Sequence, residues 1–248
     1  MGVMCTLKYF DVYNQDGIKM ECILASTRTD DSPRPCVVYM HGNAGNCMEG
    51  LSHAPSVLPL GADLLTFDFS GCGNSEGDWV TLGWKEKDDL HAVLQYLESE
   101  GKTNKVVLWG RSMGAATILL YDHQFPLPVS AFILDSGFSD MESVATNLIQ
   151  KMGMPEEFFP MLWPGVVDAV NQATGGLDLY TLRPVDHCGD KTHPVLFIHG
   201  NEDELVPKNN TVRNFEKYGG SDKDVIYCSG THNDFRPKEV LVRIASFI

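Results

Sequence analysis

Short apolar runs recur along the chain and alternate with stretches of helical period. Residues 36–40, 64–69, 106–109, 131–134, 195–198 and 225–227 are runs of mostly β-branched, aromatic or long aliphatic side chains. Mostly apolar runs, four to six positions long in most cases, predict strands covered on both faces, as in a parallel sheet flanked by helices. Between these runs, Leu90, Val93, Leu94 and Leu97 fall at i, i+3, i+4 and i+7, one face of a helix. Residues 115–121 predict a second helix, and Val240, Ile244 and Phe247 mark a third. The start of the chain differs. Residues 9–13 and 18–25 are strand-like runs around Asp16-Gly17, a hairpin signal, so the sheet is expected to begin antiparallel. Strands alternating with helices place the chain in the α/β class.

Residues 141–180 break this rhythm. The stretch is too long for a simple crossover and is rich in Met152, Met154, Phe158, Phe159, Met161, Leu162 and Trp163. Pro155, Pro160 and Pro164 predict that any helices here are short. The stretch is expected to form a small helical cap, inserted at about 141–180 above the strand ends where ligands bind in open α/β sheets. The alternative is ordinary core helix. Residues 1–248 read as a single domain carrying this insertion, without internal repeat or low-complexity segment.

A formal net charge of −14 repels phosphate backbones and anionic lipid headgroups, which argues against a nucleic-acid partner. The chain has no apolar run long enough to span a bilayer. Its N-terminus lacks the basic-then-apolar layout of a secretory signal. The seven cysteines are odd in number, scattered, and form no CxxC pair, so they read as reduced thiols of a cytoplasmic protein. Met1-Gly2-Val3-Met4-Cys5-Thr6 fits an N-myristoylation pattern at Gly2 with a palmitoylation position at Cys5. Membrane association is expected only if these are acylated, since one chain alone binds marginally.

The chemistry starts at Gly110-Arg111-Ser112-Met113-Gly114, a G-x-S-x-G pattern. Alone it is a weak signal. Here it follows a predicted strand and opens a predicted helix, and a strained strand-to-helix turn is what exposes a serine nucleophile. The small neighbours Gly110 and Gly114 relieve crowding there. A serine hydroxyl needs a base within hydrogen-bond reach. Of eight histidines, His232 lies in a loop between the last strand and the last helix, in Ser229-Gly230-Thr231-His232-Asn233. His41 and His199 each end a strand before glycine and read as loop-pinning groups. The acid is expected at Asp203, in the segment after the penultimate strand. Glu202 and Glu204 are its neighbours, and Asp135, ending the strand before, is the runner-up. The order serine, acid, histidine is then satisfied. Met40-His41-Gly42-Asn43-Ala44-Gly45-Asn46 can aim backbone N–H groups at a developing oxyanion. Asn43 is the first choice of donor from this loop, Ala44 the next, with Met113 after the nucleophile as the second donor.

Together these residues resemble the α/β-hydrolase superfamily, most closely the small eukaryotic serine hydrolases with an HGNAGN-type oxyanion loop, near the serine aminopeptidase and acyl-esterase branches. The resemblance covers residues 10–248. Asp68-Phe69-Ser70-Gly71-Cys72-Gly73-Asn74-Ser75-Glu76-Gly77 is similar to the family's Asp-x-x-Gly-x-Gly-x-Ser turn, and Gly83-Trp84-Lys85-Glu86-Lys87-Asp88-Asp89-Leu90 to its helix entry. The resemblance implies an eight-stranded, mostly parallel sheet with an antiparallel second strand. It also implies acyl transfer on esters, thioesters or amides, without metal or cofactor. The short apolar segment at 141–180 carries no acidic cluster for a substrate amine. The expected reaction is therefore hydrolysis of a small-molecule or lipid-like ester with an apolar acyl group. Aminopeptidase, amidase and protein acyl-thioesterase are alternatives, and a non-catalytic binding protein on the same fold is another class. As the base, His232 should make activity fall at acid pH.

Overall fold

The structure is a computed structural model describing residues 4–248. Gly2, expected as an acylation position, lies outside the described residues, while Cys5 is exposed. Among the described residues eight strands form one sheet: β1 (Thr6–Tyr13), β2 (Lys19–Ser26), β3 (Arg34–Met40), β4 (Asp63–Phe67), β5 (Thr103–Arg111), β6 (Val129–Asp135), β7 (Val195–Gly200) and β8 (Lys223–Cys228). Their spatial order is β1-β2-β4-β3-β5-β6-β7-β8. Strand β2 is antiparallel to both neighbours, and every later pairing is parallel. The predicted hairpin is present. Asn14 closes its loop by accepting the Asp16 and Ile18 N–H groups at 3.0 and 3.1 Å, and Gly17 takes a left-handed φ of 75°.

The continuous apolar runs are explained by burial on both faces. On β5, Val106 and Leu108 point into one core, and Val107 and Trp109 into the other. The first core is covered by α3 (Glu86–Glu100), through Leu90, Val93, Leu94 and Leu97, and by α4 (Met113–Leu120). The second is covered by α2 (Ala54–Val57), which follows α1 (Cys47–Leu51), and by α9 (Lys238–Phe247), through Val240 and Ile244.

Between β6 and β7 lie α5 (Met141–Lys151), α6 (Phe159–Thr174) and a short α7 (Pro184–His187), and between β7 and β8 lies α8 (Asn209–Lys217). The expectation of only short helices at 141–180 is corrected: α6 runs 16 residues with Pro164 inside it. Pro160 falls in its first turn, where the missing N–H would have no partner anyway. Pro164 removes one further backbone bond. Phe159, Trp163 and Val167, one face at i, i+4 and i+8, are buried against Ala116 and Leu120 of α4 and Val206 of the loop after β7, and this offsets the loss.

The chain leaves β3 toward β4 on one side, and β5 returns on the other, so β3 and β5 are neighbours whose following connections diverge. The carboxyl ends of such a pair frame a crevice, and ligands bind there in open α/β sheets. The His41–Asn46 loop leaves β3 and the Ser112 turn leaves β5 at this place.

Candidate active site

Ser112 follows β5, caps the start of α4, and holds φ 52° and ψ −110°, a conformation an L-residue adopts only under tertiary constraint. Its N–H donates to the Asp135 carbonyl at 2.7 Å, which fixes the turn to the end of β6. The flanking glycines are required by space. A Cβ on Gly110 would lie 2.2 Å from the Gly114 carbonyl carbon, and one on Gly114 would lie 2.3 Å from the Met40 carbonyl oxygen. Helix, strand and elbow can approach this closely only without side chains.

His232 reaches the serine from the loop after β8, and its Nε2 is 2.9 Å from Ser112 Oγ. Its Nδ1 is 2.7 Å from Asp203 Oδ2. Asp203 sits in the turn after β7, and its other oxygen accepts the Leu205 and Val206 N–H groups at 3.1 and 2.9 Å. Burial pushes the Asp203 carboxyl upward, but the hydrogen bond and charge of His232 and the Val206 N–H outweigh it, leaving the group below the ordinary carboxylate value. The three side chains are nearly enclosed, at 9%, 6% and 7% exposure for Ser112, His232 and Asp203. A serine hydroxyl, an imidazole and a carboxylate in this sequence can pass a proton from the hydroxyl to Nε2 while the carboxylate holds the tautomer.

The runner-up acid has a different partner. Asp135 receives Nε and Nη2 of Arg236 at 2.9 and 2.8 Å, in a pair whose side chains are 3% and 4% exposed. Arg236 also donates to the Thr231 carbonyl at 3.1 Å, so this ion pair anchors the loop carrying His232. Neither neighbouring glutamate is hydrogen-bonded to the histidine: Glu202 accepts the Gly230 N–H at 2.5 Å and Glu204 pairs with Lys151 at 2.6 Å.

Both strand-end histidines pin loops. His41 accepts the Phe69 N–H on Nε2 at 3.2 Å and places Nδ1 2.7 Å from the Gly42 carbonyl. His199 bridges Thr211 Oγ1 and the Val206 carbonyl, each at 2.8 Å, which tightens the turn that presents Asp203. Burial lowers the pKa of both rings and favours the neutral imidazole.

The loop after β3 turns at Gly42–Gly45, with the Gly45 N–H donating to the Gly42 carbonyl at 2.9 Å and Ala44 at φ 60°. It closes against Ser112: a Cβ on Gly42 would lie 3.3 Å from Ser112 Cβ. Asn43 stands in this turn, and Met113 is the first residue of α4, where its N–H has no intrahelical acceptor. Asp68 ties the region together by accepting the Cys47 and Asn74 N–H groups at 2.6 and 2.8 Å.

Sequence reasoning passed over three charged residues: Glu49, Arg111 and Arg236. Arg111 pairs with Glu49 of α1 through Nε and Nη2, and Tyr39 donates its hydroxyl to the same carboxylate at 2.6 Å. Burial pushes Glu49 up, but the Arg111 pair overrides it and holds the carboxyl below its ordinary value. An arginine between the elbow glycine and the serine was a visible oddity, but its partners lie 62 and 121 positions away. A cavity of about 230 Å³ opens beside His232, lined among others by Leu148 of α5, Leu205, Thr231 and Asn233.

The chain belongs to the alpha/beta hydrolase fold family, whose profile matches residues 35–183. It is 31% identical over 207 residues to an uncharacterised Bacillus subtilis (strain 168) protein, YqkD, covering 82% of this chain and 66% of that one. It is 27% identical over 193 residues to the Rattus norvegicus lysophosphatidylserine lipase ABHD12, covering 71% of this chain and 43% of that one. The chain thus spans less than two thirds of these relatives. Among solved structures it superposes on the Pyrococcus furiosus esterase Pf2001 with a TM-score of 0.75 at 19% identity, covering 98% and 92% of the two chains. On Est1E from Butyrivibrio proteoclasticus, bound to ferulic acid, the TM-score is 0.70 at 20% identity, covering 95% and 96%. Among the described residues no helix is long and apolar enough to cross a membrane.

Proposed function

We propose that the chain is a serine esterase that cleaves a carboxylic ester through an acyl-enzyme, with Ser112 as nucleophile, His232 as base and Asp203 as the orienting acid. The observation that carries this reading is the unbroken chain of contacts from Ser112 Oγ to His232 at 2.9 Å and from His232 to Asp203 at 2.7 Å. His232 takes the hydroxyl proton as Oγ attacks the acyl carbon, then returns it to the leaving alcohol, and water repeats the cycle. The N–H groups of Asn43 and Met113 receive the oxyanion, each worth about 2.7–4 kcal/mol in the transition state. Helices α5 and α6 act as a cap, and the cavity between Leu148, Leu205 and His232 takes an apolar part of the substrate. A relative named as a lysophosphatidylserine lipase and fold neighbours named as esterases favour small-molecule or lipid-like esters. Seven unpaired thiols suit a reducing, cytoplasmic setting, with membrane attachment through acylation at Gly2 and Cys5 as the exception.

The test is hydrolysis of p-nitrophenyl esters from acetyl to palmitoyl by the wild type and by Ser112→Ala. Cleavage by the wild type and loss of all turnover in S112A is expected, and the preferred acyl length reports the pocket. Labelling of Ser112 by a fluorophosphonate without ester cleavage would move the reading to amides or protein thioesters. Absence of both would leave a binding protein on this fold.

A further inference from the structure

Arg111 touches each of the three loops that meet at the nucleophile. It is the residue before Ser112, so it is part of the elbow itself. Its Nη1 donates to the His232 carbonyl and to Asn233 Oδ1, both at 3.3 Å. Its Nε and Nη2 grip the Glu49 carboxylate, with Nη2 to Oε2 at 3.1 Å. Glu49 belongs to α1, whose N-cap Asn46 closes the loop carrying Asn43. The guanidinium also lies under that loop, since a Cβ on Gly42 would meet Nη2 at 3.0 Å. The pair is sheltered, with side chains 18% and 23% exposed, and Tyr39 holds the carboxylate from the sheet side. A planar guanidinium with several fixed donors suits such a junction, whereas a lysine offers a single point of charge.

We infer that the Glu49–Arg111 pair is a positioning clamp that sets the oxyanion loop and the His232 loop in register with Ser112. The inference rests on the esterase reading above and adds residues that act through the reacting groups without touching substrate. Misplacing reacting groups by about 1 Å costs on the order of 10²-fold in rate, so the clamp acts on turnover more than on binding. The elbow backbone is held separately, by the Ser112 N–H to the Asp135 carbonyl at 2.7 Å, so Ser112 stays in place when the clamp is lost.

The experiment compares Arg111→Gln, Arg111→Lys, Glu49→Gln and the double variant E49Q/R111Q with the wild type. Their kcat and KM on p-nitrophenyl acetate, their rate of labelling by a fluorophosphonate and their thermal midpoints are measured. R111Q is expected to lose about 10²-fold in kcat with KM nearly unchanged. R111K should recover part of that loss, and E49Q should reproduce part of it. The double variant should be no slower than R111Q, because both changes release the same clamp. The double variant carries no unpaired charge, so it reads the inference even if R111Q fails to fold. Wild-type kcat in a folded R111Q or double variant would overturn the clamp, as would a rise in KM alone or fully additive losses. If the wild-type chain neither labels nor cleaves, the esterase reading falls by itself. The low-field Nδ1 proton resonance of His232 then tests the clamp: its loss in R111Q supports the inference, and its persistence overturns it.

Discussion

Ser112 and its two glycines show how much one residue's identity can depend on crowding. The serine can sit at φ 52° only because Gly110 and Gly114 let β5, α4 and the end of β3 approach within van der Waals distance. That requirement was legible in the sequence, because G-x-S-x-G between a strand and a helix has few other uses. The distinction between Asp203 and Asp135 was less legible. Both follow apolar strands, and only the fold shows Arg236 on one and His232 on the other. Asp135 and Arg236 are a buried pair, and removing one partner strands a charge. Arg236→Met is therefore expected to lower stability by about 3–5 kcal/mol in urea unfolding. A loss below about 1 kcal/mol would mean that the pair is exposed in solution, as surface pairs contribute little.

Among the elements, α8 and α6 are instructive in opposite ways. Helix α8 buries Asn210, Thr211 and Asn214, so it has no apolar period to read. Asn210 Oδ1 instead accepts from the Ser139 N–H and the Ser139 and Ser143 hydroxyls at 3.0, 2.8 and 2.8 Å, a polar face satisfied by the loop after β6 and the first turn of α5. Helix α6 had a clear apolar content but proline signals that argued for an early stop, and burial overrode them. Trp163 is the centre of that burial, stacked on Phe159 with ring centroids 5.2 Å apart. Trp163→Ala is expected to cost about 3–5 kcal/mol in overall stability. Among the described residues its indole N–H has no acceptor. Trp163→Phe should therefore stay within about 1 kcal/mol of the wild type, because it removes a buried donor whose desolvation costs about 1–3 kcal/mol. If W163A melts in a separate early transition, α6 is a detachable unit and not part of the α4 core.

At the scale of the whole molecule, buried and half-buried imidazoles set the pH response. Burial lowers His53 from 6.5 to about 4. It also lowers His41, His91, His193 and His199. Below about pH 6.5 the unfolded chain binds more protons than the folded one, so this stability is present above that value and lost as pH falls. Asp89 works in the other direction. Burial raises it from 3.8 to about 6, so within that window the folded chain holds the extra proton and gains stability on acidification. Five imidazoles against one carboxyl leave a net loss. Urea midpoints should fall between about pH 7 and about pH 5, and His53→Asn should lessen the fall. A midpoint that rises on acidification would overturn this balance.

The sequence by itself determined the α/β class, the antiparallel start, the six later strands and the position of the elbow. Each of these is local: a run of apolar residues, a turn dipeptide or a glycine at fixed spacing reports its own environment. The tertiary structure alone decided the neighbours. It put β4 between β2 and β3, which sets the carboxyl ends of β3 and β5 side by side. It gave Asp203 to His232 and Arg236 to Asp135, and it joined Arg111 to Glu49 and the His232 loop across more than sixty and more than a hundred residues. Such pairings follow from strand order and close packing, which depend on all the elements at once, and no window of sequence contains them.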